Sequence, residues 1–169
     1  LIAGGGIAGL SAALCFARFG HDVTVLEQAS AFAEVGAGLQ VSPNAMKVLR
    51  ALGLEAQSRA AGFEPERIEM RFGESGQTIF TIPLKGYAER RWGAPFLQFH
   101  RADLLGVLAD AVMAHPAIQI EMSARVDSYV QMDESIEVQL TDGSVFKGDL
   151  LVGADGIHSI VRTQMLGKE

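Results

Sequence analysis

Four glycines within six positions, Gly4-Gly5-Gly6-Ile7-Ala8-Gly9, directly behind the apolar residues Leu1-Ile2-Ala3, constrain this chain more than any other feature. Leu1 to Ala3 read as the end of a buried strand, which the glycines turn. Ile7, Leu10, Leu14 and Ala17 then recur at helical spacing, and Arg18 in the last turn with Gly20 as C-cap closes a helix over 7–19. Val23-Thr24-Val25-Leu26 is a strand ending at Glu27, so the first 27 residues form a βαβ unit with parallel neighbouring strands. In a Gly-x-Gly-x-x-Gly turn, Gly4 permits the tight turn, Gly6 lets backbone approach a pyrophosphate and Gly9 lets helix pack on strand. Free N–H groups at the helix N-terminus favour the anion. Glu27, 18 positions after Gly9, is placed to accept hydrogen bonds from an adenosine ribose and would repel a 2′-phosphate, which disfavours NADP at this site. A ligand-free glycine turn with a solvated Glu27 is the alternative; the order strand, turn, helix, acid favours a dinucleotide.

Glycine is in surplus, 19 of 169 residues, against a usual ~7%. The formal charge of −6 and pI near 5.2 exclude a global positive field for nucleic acid or an anionic membrane. The single cysteine, Cys15, allows no internal disulfide and no thiolate zinc pair, which suits a reducing cytoplasm. His21, His100, His115 and His158 are scattered without metal spacing, so no metal site is expected. The uncharged residues 1–17 have no basic flank and fall short of the ~20 apolar residues of a spanning helix, so neither export nor stable membrane insertion is expected. Because only three residues precede the glycines and the first is not Met, a few residues are expected in front of Leu1.

Residues 28–41 read as a long Gly- and Ala-bearing connection. Ser42 as N-cap and Pro43 at the first helical position start a helix through Leu52, and a short helix is expected over 54–60. Partial alternation over 67–72 and 78–82 around Gly73-Glu74-Ser75-Gly76 predicts a hairpin. Residues 92–99 read as irregular, and 101–114 as a helix stopped by Pro116. Three strands are expected next, over 124–132, 136–141 and 145–146, the last two joined by an Asp142-Gly143 hairpin turn. A strand over 149–152 enters Gly153-Ala154-Asp155-Gly156 and a helix from Ile157, a context in which Asp155 can cap the helix and organise a nucleotide-facing loop.

Three motifs in one order carry a family resemblance: the glycine turn with Glu27, the segment His100-Arg101-Ala102-Asp103-Leu104-Leu105, and Asp155-Gly156 with Ser159 and Arg162. Together they resemble the single-component FAD-dependent aromatic hydroxylases, the group A flavoprotein monooxygenases, in their salicylate hydroxylase-like and hydroxybenzoate hydroxylase-like branch. The resemblance implies an α/β fold, in which a Rossmann-like FAD-binding βαβ with a parallel sheet carries a three-stranded antiparallel meander and a β-hairpin excursion into a largely absent substrate domain. It implies an FAD-binding domain over 1–63 and 96–169 and a first piece of the substrate domain over 64–95. The family's third FAD motif would follow Glu169, so the chain is expected to be the N-terminal part of a longer enzyme, inactive alone.

The same resemblance implies that Gly4, Gly6 and Gly9 surround the FAD pyrophosphate and that Glu27 holds the adenosine ribose, with Gln28 beside it. Arg101 would reach the FAD phosphates or ribityl chain, Ala37 would bring backbone near the flavin, the Val126 backbone would contact adenine, and Asp155 would serve FAD and the transient nicotinamide. A solvated arginine, a flexible turn, a core valine and a structural N-cap are the competing readings of these last four. Gly36, Gly38, Gly153 and Gly156 join Gly4, Gly5, Gly6 and Gly9 in cofactor-facing turns. NADH or NADPH would reduce FAD, and O₂ adding at flavin C4a would deliver one oxygen atom to a small aromatic substrate. No catalytic side chain is assigned. Nucleic acid is not an expected partner; a homodimer is compatible with a full-length enzyme. A non-catalytic FAD- or dinucleotide-binding module, or a flavin monooxygenase of a non-benzoate substrate such as a quinone precursor, urate or a polyketide, stays open.

Overall fold

The computed structural model describes residues 1–32 and 37–167. The elements, in chain order, are β1 (Ile2–Ala3), α1 (Ile7–Arg18), β2 (Val23–Leu26), β3 (Gly38–Val41), α2 (Pro43–Ala51), α3 (Glu55–Ala61), β4 (Arg67–Arg71), β5 (Thr78–Pro83), α4 (Tyr87–Trp92), β6 (Leu97–His100), α5 (Arg101–Met113), β7 (Ile118–Glu121), β8 (Val126–Gln131), β9 (Ile136–Leu140), β10 (Val145–Gly148), β11 (Val152–Gly153) and α6 (Ile160–Leu166). They form two compact units, one of Leu1–Ala33 with Leu108–Glu169 and one of Glu34–Val107.

The first unit is built on a parallel sheet in the order β11-β1-β2-β7. Apolar strands with no alternation suit burial on both faces, and Ile2, Ala3, Val25 and Leu26 are all buried. On one face Ala3 and Leu26, adjacent in register, join a core with Ala124, Val126, Val138, Leu140 and Val161 from the meander and α6. Ile2 and Val25 point the other way by the alternation of a strand, and α1 packs against β1, β2 and β7 with Leu10, Ala13, Leu14 and Ala17 buried. The meander is a separate antiparallel sheet, β10-β9-β8.

The α/β class, parallel sheet and meander agree with the sequence reading, and several details differ. Residues 118–121, left between Pro116 and the meander, form β7, the fourth parallel strand; its register with β2 (Val23↔Ile118 to Leu26↔Glu121) supplies the ladder that a four-residue run cannot announce. The last strand is Val152–Gly153, and α6 begins at Ile160, three residues beyond the expected Ile157.

In the second unit, β3 pairs antiparallel with β6, so strands replace expected irregular stretches there too. A further short helix, α4, falls at the edge of the 92–99 stretch, framed by Gly86 (φ 63°) and Gly93 (φ 78°), both left-handed. The hairpin β4–β5 forms as expected, with a bulge at Met70/Arg71. Ser42 precedes α2 but its hydroxyl donates to Asn44 Oδ1 rather than capping the backbone. Arg50 of α2, Glu55 and Arg59 of α3 and Glu89 of α4 form one ion network.

Candidate functional site

In the parallel sheet β1 lies between β2 and β11, and the chain runs outward from it in both directions. The C-terminal ends of β1 and β11 are therefore a topological switch point, where open α/β sheets leave a ligand crevice. Both strands end in glycine turns there. Ala154 N–H donates to Ala3 O at 2.8 Å, and Gly4 N–H to Leu26 O at 2.8 Å, so both turns are tied to the sheet. Gly4 has φ +100°, and a β-carbon on it would lie 2.5 Å from the Ala154 carbonyl oxygen. A β-carbon on Gly9 would lie 1.8 Å from the Gly4 carbonyl oxygen. No side chain fits at either position.

Gly6 is the opposite case. It is the N-cap of α1, with no capping side chain and no acid in the first turn, and nothing lies within 4 Å of where its β-carbon would be. An open space in front of a helix N-terminus is what a phosphate group requires. The residues present therefore fit a dinucleotide pyrophosphate.

Glu27 follows β2, its backbone held by N–H donation to Glu121 O (2.9 Å) and by acceptance from Ala124 N (2.8 Å). Its carboxylate turns toward the glycine turn: Oε2 accepts from Gly5 N–H at 2.5 Å and Oε1 from Ala29 N–H at 2.8 Å. The ring of Phe32 closes over the same point, with its Cε1 3.1 Å from a β-carbon built on Gly5. Gln28 beside it is exposed. Sequence reasoning missed Phe32 and the Gly5 amide; the only trace was that the first variable position of the motif is itself glycine.

Asp155 is engaged within its own turn. Its Oδ1 accepts from the Ser159 hydroxyl at 2.5 Å, and Oδ2 from the N–H groups of Ile160 (2.7 Å) and Val161 (3.1 Å). Ser159 in turn accepts from Arg162 N–H at 2.9 Å, and Arg162 Nη2 donates to Ile157 O at 2.7 Å. Gly156 has φ +80°, so the turn needs glycine there, and Val161 packs so close to Gly153 that a β-carbon would meet its Cγ1 at 2.8 Å. This capping network is why α6 starts late: Asp155 reaches across the turn to the first helical amides.

Val126 has its side chain in the core, next to a register shift opposite β9, so any ligand contact there falls to backbone. In the second unit Arg101 N–H donates to Ala37 O at 3.2 Å, which brings those two expected residues together. Gly36 lies outside the described residues. Asp142 accepts from Ser144 N–H at 2.8 Å, which holds its carboxyl below the usual range, beside Gly143 at φ +88°; this is the hairpin turn the sequence indicated. A cavity of about 590 Å³ lies at the opposite, N-terminal ends of the strands, beside Leu1, His21 and Lys147, away from every residue of the switch point. Among the described residues no three His, Cys, Asp or Glu gather as for a metal, and no helix is long and apolar enough to cross a membrane.

A four-stranded parallel sheet with glycine turns at its switch point and an acid after the second strand defines a Rossmann-type dinucleotide-binding domain. The chain belongs to the FAD binding domain family, which matches residues 1–167. It is 39% identical over 167 residues to 3-hydroxybenzoate 6-hydroxylase 1 of Aquipseudomonas alcaligenes, covering 99% of this chain and 42% of that one. It is 34% identical to 6-hydroxynicotinate 3-monooxygenase of Bordetella bronchiseptica, covering 99% and 43%. The structure of Klebsiella pneumoniae HpxO complexed with FAD and uric acid superposes with a TM-score of 0.85 at 31% identity, covering 99% of this chain and 42% of that one. The chain thus spans about two fifths of the length of the relatives it matches.

Proposed function

We propose that this chain is the FAD-binding portion of an NAD(P)H-dependent flavoprotein monooxygenase that hydroxylates a small aromatic acid, hydroxybenzoate-like or a heteroaromatic of that size. The observation that carries the reading is the switch point, where Gly4 is pressed onto Ala154 while Gly6 faces open space before α1. FAD, when bound, supplies the redox chemistry, taking electrons from the nicotinamide and handing them to O₂. The protein's own work is binding and orientation. The α1 N-terminus receives the pyrophosphate, and Glu27, using two of the roughly four lone-pair sites of a carboxylate on amides, keeps the others for ribose hydroxyls. Arg101 and Ala37 serve the flavin side, the Val126 backbone the adenine, and Asp155 holds the second turn in place. Residues 64–95 form the first piece of the substrate domain, and a cytoplasmic setting with NAD(P)H at hand fits the whole. The names of the relatives, a hydroxybenzoate hydroxylase and a hydroxynicotinate monooxygenase, support the substrate class.

The coverage of about two fifths favours a second reading for the chain in isolation, a domain that binds FAD without turnover. The test is direct: a flavin absorbance spectrum on the purified chain, then aromatic-dependent NAD(P)H oxidation by the intact polypeptide. Bound flavin with such oxidation supports the enzyme reading. Bound flavin without it supports the binding module, and a colourless protein that takes up no FAD overturns both.

A further inference from the structure

We propose that Glu27 is a positioning residue for the glycine turn: its carboxylate, clasping the Gly5 and Ala29 amides under the Phe32 ring, sets the turn in its binding shape before any nucleotide arrives. Gly4 is fastened to the sheet through Leu26 O, and Gly6 to α1 by accepting from Leu10 N–H at 2.9 Å. Between them Gly5 N–H has no backbone acceptor among the described residues; the Glu27 carboxylate is its partner. Three consecutive glycines are the most permissive backbone a chain can offer, so an unclasped turn would sample many shapes. A charge-assisted hydrogen bond is about twice as strong as a neutral one and suits the task.

Close packing supports the same assignment. A β-carbon on Gly5 would lie 2.9 Å from Glu27 Oε2, 3.0 Å from Glu27 Cβ and 3.1 Å from Phe32 Cε1. Position 5 is therefore glycine because the clasp closes on it, although its backbone is not in the left-handed region. The second carboxylate oxygen ties in Ala29, so one side chain fixes both the turn after β1 and the bend after β2. Ordering the turn in advance removes a cost that the cofactor would otherwise meet on binding.

The proposal rests on reading the turn as the FAD phosphate site, and its test separates the two. Amide hydrogen exchange is measured on the flavin-free chain, and FAD affinity by titration, for wild type, Glu27→Gln, Glu27→Ala and Phe32→Ala. Glu27→Ala is expected to speed Gly5 exchange roughly 10- to 100-fold and leave Val25 and Ile120 unchanged, while Glu27→Gln, which keeps an acceptor, restores most of the protection and most of the FAD affinity. Phe32→Ala, which keeps the carboxylate, is expected to speed Gly5 exchange several-fold and serves if Glu27→Ala does not fold. Weakened FAD binding with Gly5 exchange at the wild-type rate overturns the clasp and leaves the FAD reading standing. Faster Gly5 exchange in a chain whose wild type takes no FAD supports the clasp and overturns the FAD reading.

Discussion

Gln164 pairs its side-chain amide with both backbone polar groups of Tyr129: Oε1 accepts from Tyr129 N–H at 3.1 Å and Nε2 donates to Tyr129 O at 2.5 Å. Tyr129 lies in β8, an outer strand of the meander, so one glutamine of α6 stands in for a neighbouring strand. Unpaired strand edges invite association with other chains. Gln164→Ala is expected to cost about 1 kcal/mol. Gln164→Glu is expected to cost more, because it sets a carboxylate against the Tyr129 carbonyl. Urea unfolding gives the ranking, and light scattering the added tendency to associate.

Gly9 and Gly6 make opposite predictions from one motif. Gly9→Ala places a β-carbon 1.8 Å from the Gly4 carbonyl, so α1 must move off β1, at a cost of about 3 kcal/mol. Gly6→Ala meets no protein atom within 4 Å and is expected to stay within about 1 kcal/mol of wild type while weakening FAD binding. Thermal melts beside FAD titrations separate the two; equal losses of stability would contradict the assignment of Gly6 to the ligand side.

Ser58 of α3 is fully buried, and its hydroxyl has no hydrogen-bond partner among the described residues. Ser58→Ala removes that unsatisfied group without adding volume. It is expected to stabilise the chain by about 1 kcal/mol, read as a higher urea midpoint at unchanged slope.

Glu55 adds acid sensitivity to the second unit. Its hydrogen bond from Arg50, with Arg59 adding to it, lowers its pKa from 4.5 to about 2. A folded pKa below the unfolded one gives stability that is present above 4.5 and lost as pH falls toward about 2. Urea midpoints measured from pH 6 to pH 2 should therefore drop through that window. Glu55→Gln should flatten part of the drop, and an unchanged profile would remove Glu55 from the account.

The strand, turn, helix and acid of the first βαβ were legible because glycine spacing and a 3.6-residue apolar repeat are local facts. The capping capacity of Asp155 was legible too, from an Asp-Gly pair between an apolar strand and a helix. β7 was not: Ile118-Gln119-Ile120-Glu121 is too short to declare itself, and its register with β2 makes it a strand. α4 depends on two left-handed glycines that frame only six residues. At the site, the residue types were readable but the direction of the Glu27 carboxylate was not, because it is set by the Gly5 and Ala29 amides, which no side-chain pattern marks.

The meeting of Gly4 with Ala154 has a consequence in time. Leu1 N and Leu150 O, which bond at 2.7 Å just before the same two strands, are 149 positions apart in the chain. During synthesis the glycine turn and Glu27 emerge well before the wall against which Gly4 rests, and contacts of such long range form slowly. A nascent chain thus exposes half of a nucleotide cradle until β11 docks, and cofactor loading belongs to the interval after that.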